Sequence, residues 1–116
     1  DDGILKLADF GLACEQRGAY VQTRSNLAGT PRYMAPEAYR DEKCTEKIDI
    51  YSLSMMMWEM FTGQLPWDGS NFQDVRHAVA NLGKRPPVPE NLTEPVAKVG
   101  CDLFASCPAL CLLCSV

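Results

Sequence analysis

Asp9-Phe10-Gly11 and Gly29-Thr30-Pro31-Arg32-Tyr33-Met34-Ala35-Pro36-Glu37 are the two runs on which the fold of this 116-residue chain turns. Asp1-Asp2-Gly3 is a turn signal, and the apolar Ile4, Leu5 and Leu7 after it predict a short buried strand leading into the first run. From Asp9 to about Asn26 no period is sustained and small and polar residues are common, which reads as a long surface loop. A loop of that length inside a compact domain is usually functional or disordered. The second run ends at Pro36, well placed at the first position of a short helix, where its missing N–H costs nothing.

Outward from these runs, Lys47 to Phe61 carries the strongest structural signal. Ile48, Ile50, Tyr51, Leu53, Met55, Met56, Met57, Trp58, Met60 and Phe61 cover nearly the whole circumference of a helix, so the expectation is central burial. Thr45 is read as its N-cap and Gly63 as the residue that ends it, with Pro66 beyond as a stop. So short a chain has little material with which to surround such a helix, a first hint that part of the domain lies elsewhere. A second helix is predicted from about Phe72 to Leu82. Ser70 and Gln73 have capping-box spacing, and Phe72, Val75, Val79 and Leu82 form one apolar stripe. Gly83 and Pro86-Pro87 stop it, and 84–95 reads as a proline-rich extended segment.

Composition narrows the function classes. Lys and Arg number 11 and Asp and Glu 15, for a net charge of −4, with 47% apolar and 22% charged residues. This is a globular composition in the size range of one small domain, without the electrostatic footprint of a nucleic-acid or anionic-membrane binder. No apolar run approaches the roughly 20 residues needed to span a bilayer, and Asp1-Asp2-Gly3 is unlike a secretory signal. A cytoplasmic protein is expected. Six cysteines are unevenly spread, with Cys14 and Cys44 isolated and Cys101, Cys107, Cys111 and Cys114 crowded at the end. Clustering of that kind sets the tail apart without fixing a redox compartment.

The ordered set of Leu-Ala-Asp-Phe-Gly-Leu-Ala, then Gly-Thr-x-x-Tyr-Met-Ala-Pro-Glu, then Asp49-Ile50-Tyr51-Ser52 resembles a eukaryotic protein kinase over residues 1 to about 95. The resemblance implies a protein-kinase-like α+β fold represented by a fragment: an activation segment with part of the mostly α C-terminal lobe. It also implies ATP and Mg²⁺ as cofactors and a protein as substrate. Asp9, Phe10 and Gly11 would then border the nucleotide, with Asp9 offering the hard oxygen donor that Mg²⁺ prefers and Phe10 packing into the core. Thr30 and Tyr33 correspond to residues beside the phosphoacceptor, Thr30 helping to hold the catalytic loop. Gly-Thr with Tyr-Met-Ala-Pro-Glu resembles the serine/threonine-specific kinases. Arg85-Pro86-Pro87-Val88-Pro89 and the Met-rich helix around Trp58 resemble the tyrosine-kinase-like group within them.

Other positions follow from the same resemblance. Thr23 and Ser25 are activation-loop phosphosite candidates, where added phosphate could pair with arginine and order the loop; the family's most frequent phosphosite position, three before Gly29, is Asn26 here. Asp49 matches the aspartate that braces the catalytic loop, and a buried carboxylate there would need such satisfaction. Ser54 stands where the family usually has Gly. Glu37 matches a glutamate that pairs with a late arginine, yet no arginine follows Arg85. Breaking a buried ion pair of that sort would cost on the order of 3–5 kcal/mol.

The sequence also departs from the family pattern. No Gly-rich phosphate loop, no Val-Ala-Ile-Lys strand and no His-Arg-Asp loop with its asparagine occurs in these 116 residues. The N-terminal lobe, the general base and one Mg²⁺ ligand are therefore expected to be absent from the chain, which by itself should not transfer phosphate. Residues 96–116 read as a divergent Cys-rich tail. Cys111-Leu112-Leu113-Cys114 has zinc-ligand spacing, with Cys101 and Cys107 able to complete four thiolates, but the second pair is too widely spaced for a standard site. Asn91-Leu92-Thr93 matches a glycosylation acceptor without a secretory context, and His77 is expected at the surface.

Overall fold

The computed structural model describes residues 3–21 and 29–87. Thr23, Ser25, Asn26, the segment 88–95 and the whole Cys-rich tail lie outside them, and with them the zinc and glycosylation expectations.

The architecture is a small helical core. Two short strands, β1 (Gln16–Arg17) and β2 (Tyr20–Val21), pair antiparallel, with Gln16 opposite Val21 and Arg17 opposite Tyr20. Gly18 makes the reversal possible with φ 80°, a left-handed value that a side chain disfavours. A hairpin therefore replaces part of the expected irregular loop. Its strands are two residues long, too short to leave a period in the sequence. The helices are α1 (Pro36–Tyr39), α2 (Lys47–Thr62) and α3 (Phe72–Arg76), and α3 runs on as a π-helical turn over His77–Asn81.

The core lies where α1, α2 and α3 meet. Met34, Ala35, Ala38, Tyr39, Cys44, Tyr51, Met55, Val75, Val79 and Ala80 are buried, with Tyr33, Ile48, Trp67 and Phe72 packed against them. The Tyr39 ring meets that of Phe72 edge-on, centroids 5.8 Å apart. Such a pair adds about 0.5–1.5 kcal/mol beyond its buried area.

α2 begins and ends almost where the sequence places it. Gly63 closes it in the left-handed region at φ 67°, its N–H donating to the Glu59 carbonyl at 2.8 Å. Thr45 Oγ1 accepts from the Lys47 N–H at 3.3 Å, although the cap position itself falls on Glu46. The expectation of burial on all sides is corrected. Tyr51, Ser54 and Met55, spaced three and four apart on one face, are buried, whereas Leu53, Met56, Met60 and Phe61 are exposed. Ser54 satisfies its buried hydroxyl by donating to the Ile50 carbonyl at 2.8 Å.

The second predicted helix is real, but its cap is different. Asn71 Oδ1, not Ser70, accepts from the N–H groups of Gln73 and Asp74, at 2.9 and 3.0 Å. Phe72, Val75 and Val79 face inward as the stripe requires, while Leu82 is exposed. His77 is exposed and lies 3.0 Å from the Asn81 amide through Nδ1. The predicted buried strand at Ile4–Leu7 does not form. These side chains are 69–99% exposed, and a strand needs a neighbour that none of the described residues supplies.

Candidate functional site

The two motif runs form two turns, differently supported. At the first, Asp9 adopts left-handed backbone angles (φ 60°, ψ 70°), which an aspartate tolerates better than most residues. Phe10–Leu12 then make one 3₁₀ turn, closed by the Ala13 N–H on the Phe10 carbonyl at 3.0 Å. The Asp9 carboxylate is exposed. A Cβ at Gly11 would stand only 3.3 Å from Asp9 Oδ1, so glycine keeps that oxygen unobstructed. Phe10 does not pack into the core as expected. It is 69% exposed, because no described element covers it.

The second turn is held firmly. Thr30 is exposed, and its carbonyl starts a 3₁₀ turn over Pro31–Tyr33 by accepting from the Tyr33 N–H at 3.1 Å. Proline at the first position of that turn needs no N–H partner. Four side chains fix the turn. The Tyr39 hydroxyl donates to the Pro31 carbonyl at 2.6 Å, and Ser52 Oγ donates to the Tyr33 carbonyl at 2.8 Å. The Tyr33 hydroxyl donates to Glu59 Oε2 at 2.5 Å. Arg32 Nη1 donates to the Pro66 carbonyl at 3.1 Å and pairs with Asp68 at 3.5 Å.

Electrostatics follow the geometry. The hydrogen bond to Glu59 raises the Tyr33 phenol above its ordinary value, helped by burial and the Glu59 charge and opposed by Arg32. Burial pushes the Tyr39 phenol up to about 12. Burial also raises the Cys44 thiol, with the Glu37, Glu42 and Asp41 carboxylates adding to the effect. Each of these groups stays protonated at neutral pH. Cys44 further anchors the hairpin, its carbonyl accepting from the Val21 N–H at 2.8 Å while Lys43 Nζ sits 4.8 Å above the Tyr20 ring.

The sequence-selected residues are thus divided. Thr30 joins a turn tied to α1 and α2. Asp9, Phe10 and Gly11 form a separate turn at the surface. Asp49 is exposed at the start of α2, not the buried carboxylate expected there. Glu37 is half-buried and engaged, so the cost of an unpaired buried charge does not arise. Glu59, Tyr39 and Asp68 were not singled out by sequence reasoning, and Arg32 was quoted in the second run without a role. Ser52 was quoted in the Asp49–Ser52 run without a role. Their spacing, 19 to 36 residues from their partners apart from Tyr39, leaves no local signal.

For a divalent cation, the described residues contain no cluster of three or more His, Cys, Asp or Glu. Asp9 offers one hard oxygen donor with free approach, which suits Mg²⁺ held largely by phosphate and water.

A turn carrying an exposed aspartate is thus followed by a proline-started segment clamped onto a long helix. A profile of the family described as protein tyrosine and serine/threonine kinase matches residues 1–108. The serine/threonine-protein kinase CTR1 of Arabidopsis thaliana is 41% identical over 99 residues, 84% of this chain and 12% of that protein. The probable serine/threonine-protein kinase SIS8 of the same plant is 36% identical over 104 residues (90% and 10%). The probable serine/threonine-protein kinase drkA of Dictyostelium discoideum is 43% identical over 88 residues (75% and 13%). The chain belongs to the protein kinase family and carries part of a kinase domain. It spans about a tenth of the length of these relatives. Among the described residues no helix is long and apolar enough to cross a membrane.

Proposed function

We propose that this chain is the activation segment and part of the helical lobe of a cytoplasmic serine/threonine protein kinase that transfers the ATP γ-phosphate to protein hydroxyls, and that the 116-residue chain by itself is catalytically silent. The observation that carries the reading is the Pro31–Tyr33 turn, tied by Tyr39, Ser52, Glu59 and Arg32 into a rigid platform. Phosphoryl transfer asks the protein mainly for positioning and charge neutralisation, and a platform of this kind supplies positioning.

On this reading Asp9 would hold Mg²⁺, which when bound neutralises charge on the nucleotide phosphates. Gly11 leaves the approach to the carboxylate open, and the orientation of Phe10 governs where that carboxylate faces. Thr30 reaches toward the catalytic loop, and Tyr33 stiffens the substrate-facing turn. Glu37 and Asp49 are structural, and Thr23 and Ser25 are the sites at which phosphate would order the loop. Residues 96–116 are taken as a cysteine-rich tail, whose first part still falls within the family match. The relatives' names favour serine/threonine specificity and are consistent with the tyrosine-kinase-like group.

A second reading, a non-catalytic kinase-derived binding module, is favoured by the exposed Leu53, Met56, Met60 and Phe61 on α2. One experiment separates the two. Sequencing the transcript upstream of the Asp1 codon should reveal a His-x-Asp…Asn loop roughly ten to twenty residues before Asp9. The protein so encoded should phosphorylate a generic protein substrate, and Asp9→Asn should lower that rate at least about a hundredfold. Unrelated upstream sequence, or transfer indifferent to Asp9, would overturn the first reading.

A further inference from the structure

We infer that Arg32 is a positioning residue that couples the Pro31–Tyr33 turn to the 63–68 loop beyond α2, so that the two hold their shapes together. The inference rests on the reading of that turn as substrate-facing. Arg32 Nη1 reaches both the Pro66 carbonyl at 3.1 Å and the Asp68 carboxylate at 3.5 Å. Between these two anchors stands Trp67, with a left-handed φ of 58° that a bulky aromatic residue avoids unless its surroundings impose it. Arg32 grips the residue on either side of that strained position.

The other three ties of the turn run to α1 and α2, so Arg32 is its one described tie to the loop. Trp67 and Asp68 also help to line an open groove of about 540 Å³, together with Trp58, Leu65, Pro86 and Pro87 among others. The charge on Arg32 also reaches across to Tyr33, where it opposes the effect of Glu59 on the phenol. Both contacts run through Nη1, the Pro66 carbonyl accepting a hydrogen bond and the Asp68 carboxylate completing an ion pair.

The test is amide hydrogen exchange by NMR on the 116-residue chain, in the wild type and in Arg32→Ala, Arg32→Lys and Asp68→Asn. The reporters are the Tyr33 and Met34 amides on one side and the Ser70 amide, which donates to the Trp67 carbonyl, on the other. In Arg32→Ala both sets should exchange roughly tenfold faster while the Tyr39 amide of α1 stays as in the wild type. Arg32→Lys should be intermediate, and the Tyr33 phenol should titrate higher in Arg32→Ala. Asp68 is 76% exposed, so Asp68→Asn leaves the core intact and should still quicken both sets by about twofold. Acceleration on one side only, or equal acceleration throughout α1 and α2, would overturn the coupling. Failure of the phosphotransfer assay would leave these exchange rates unchanged, so the two conclusions fall separately.

Discussion

The two motif-bearing regions share a sequence signature but not a structural footing. The stretch 29–62 carries its own anchors: Tyr39, Ser52 and Glu59 hold its turn, and Met55 and Tyr51 bury themselves beneath it. The stretch 3–13 is closed by the Ala13 N–H on the Phe10 carbonyl and keeps Ile4, Leu5, Leu7, Phe10 and Leu12 exposed. The contrast teaches that the Pro31–Tyr33 turn is held by side chains from α1 and α2, whereas the Asp9–Leu12 turn rests on its own backbone alone among the described residues.

The comparison breaks most readily at Met55. It is fully buried, so Met55→Ala should cost about 2–5 kcal/mol in urea denaturation. A cost comparable to that of a surface change would mean that the helical region has no real core. Next comes alkaline pH. The Tyr39 phenol sits at about 12 in the folded chain against an ordinary value near 10, so the folded state favours the neutral form. The stability this confers is complete below pH 10 and is lost as pH rises from 10 toward 12. Stability curves of the wild type and Tyr39→Phe should therefore converge over that window, Tyr39→Phe lacking this ionisation. At neutral pH the same variant should lose about 0.5–1.5 kcal/mol, from the hydrogen bond to Pro31.

Asn71→Ala, which removes the cap of α3, should cost about 1 kcal/mol by the same measurement. The smallest effects belong to the other region. Leu5→Ala and Phe10→Ala should change stability by no more than about 0.5 kcal/mol, since both side chains are already in water. A larger loss there would erase the distinction between the two regions.

Particular residues show how far the sequence carries. The bounds of α2 were readable because a sustained apolar run lies between Thr45, a capping residue, and Gly63, a helix-ending one. Its burial was not, because an apolar residue on every face says nothing about which face finds a partner. The choice between Ser70 and Asn71 as cap depended on backbone angles one residue apart, beyond what spacing resolves. The hairpin at 16–21 was invisible for lack of length. Asp9, Thr30 and Glu37 could be named as candidates because the motif runs fix them in order. The roles of Glu59 and Arg32 were missed because their partners are brought close only by the path of α2 and the loop after it.

Limited chymotryptic digestion of the 116-residue chain, with fragments identified by mass spectrometry, tests the division between the two regions most directly. Cleavage should come first after Leu5, Leu7, Phe10 and Leu12, while the bonds after Tyr33, Tyr39, Tyr51 and Met55 survive until the chain unfolds as a whole. Early cleavage within 33–55, with 3–13 left intact, would contradict it.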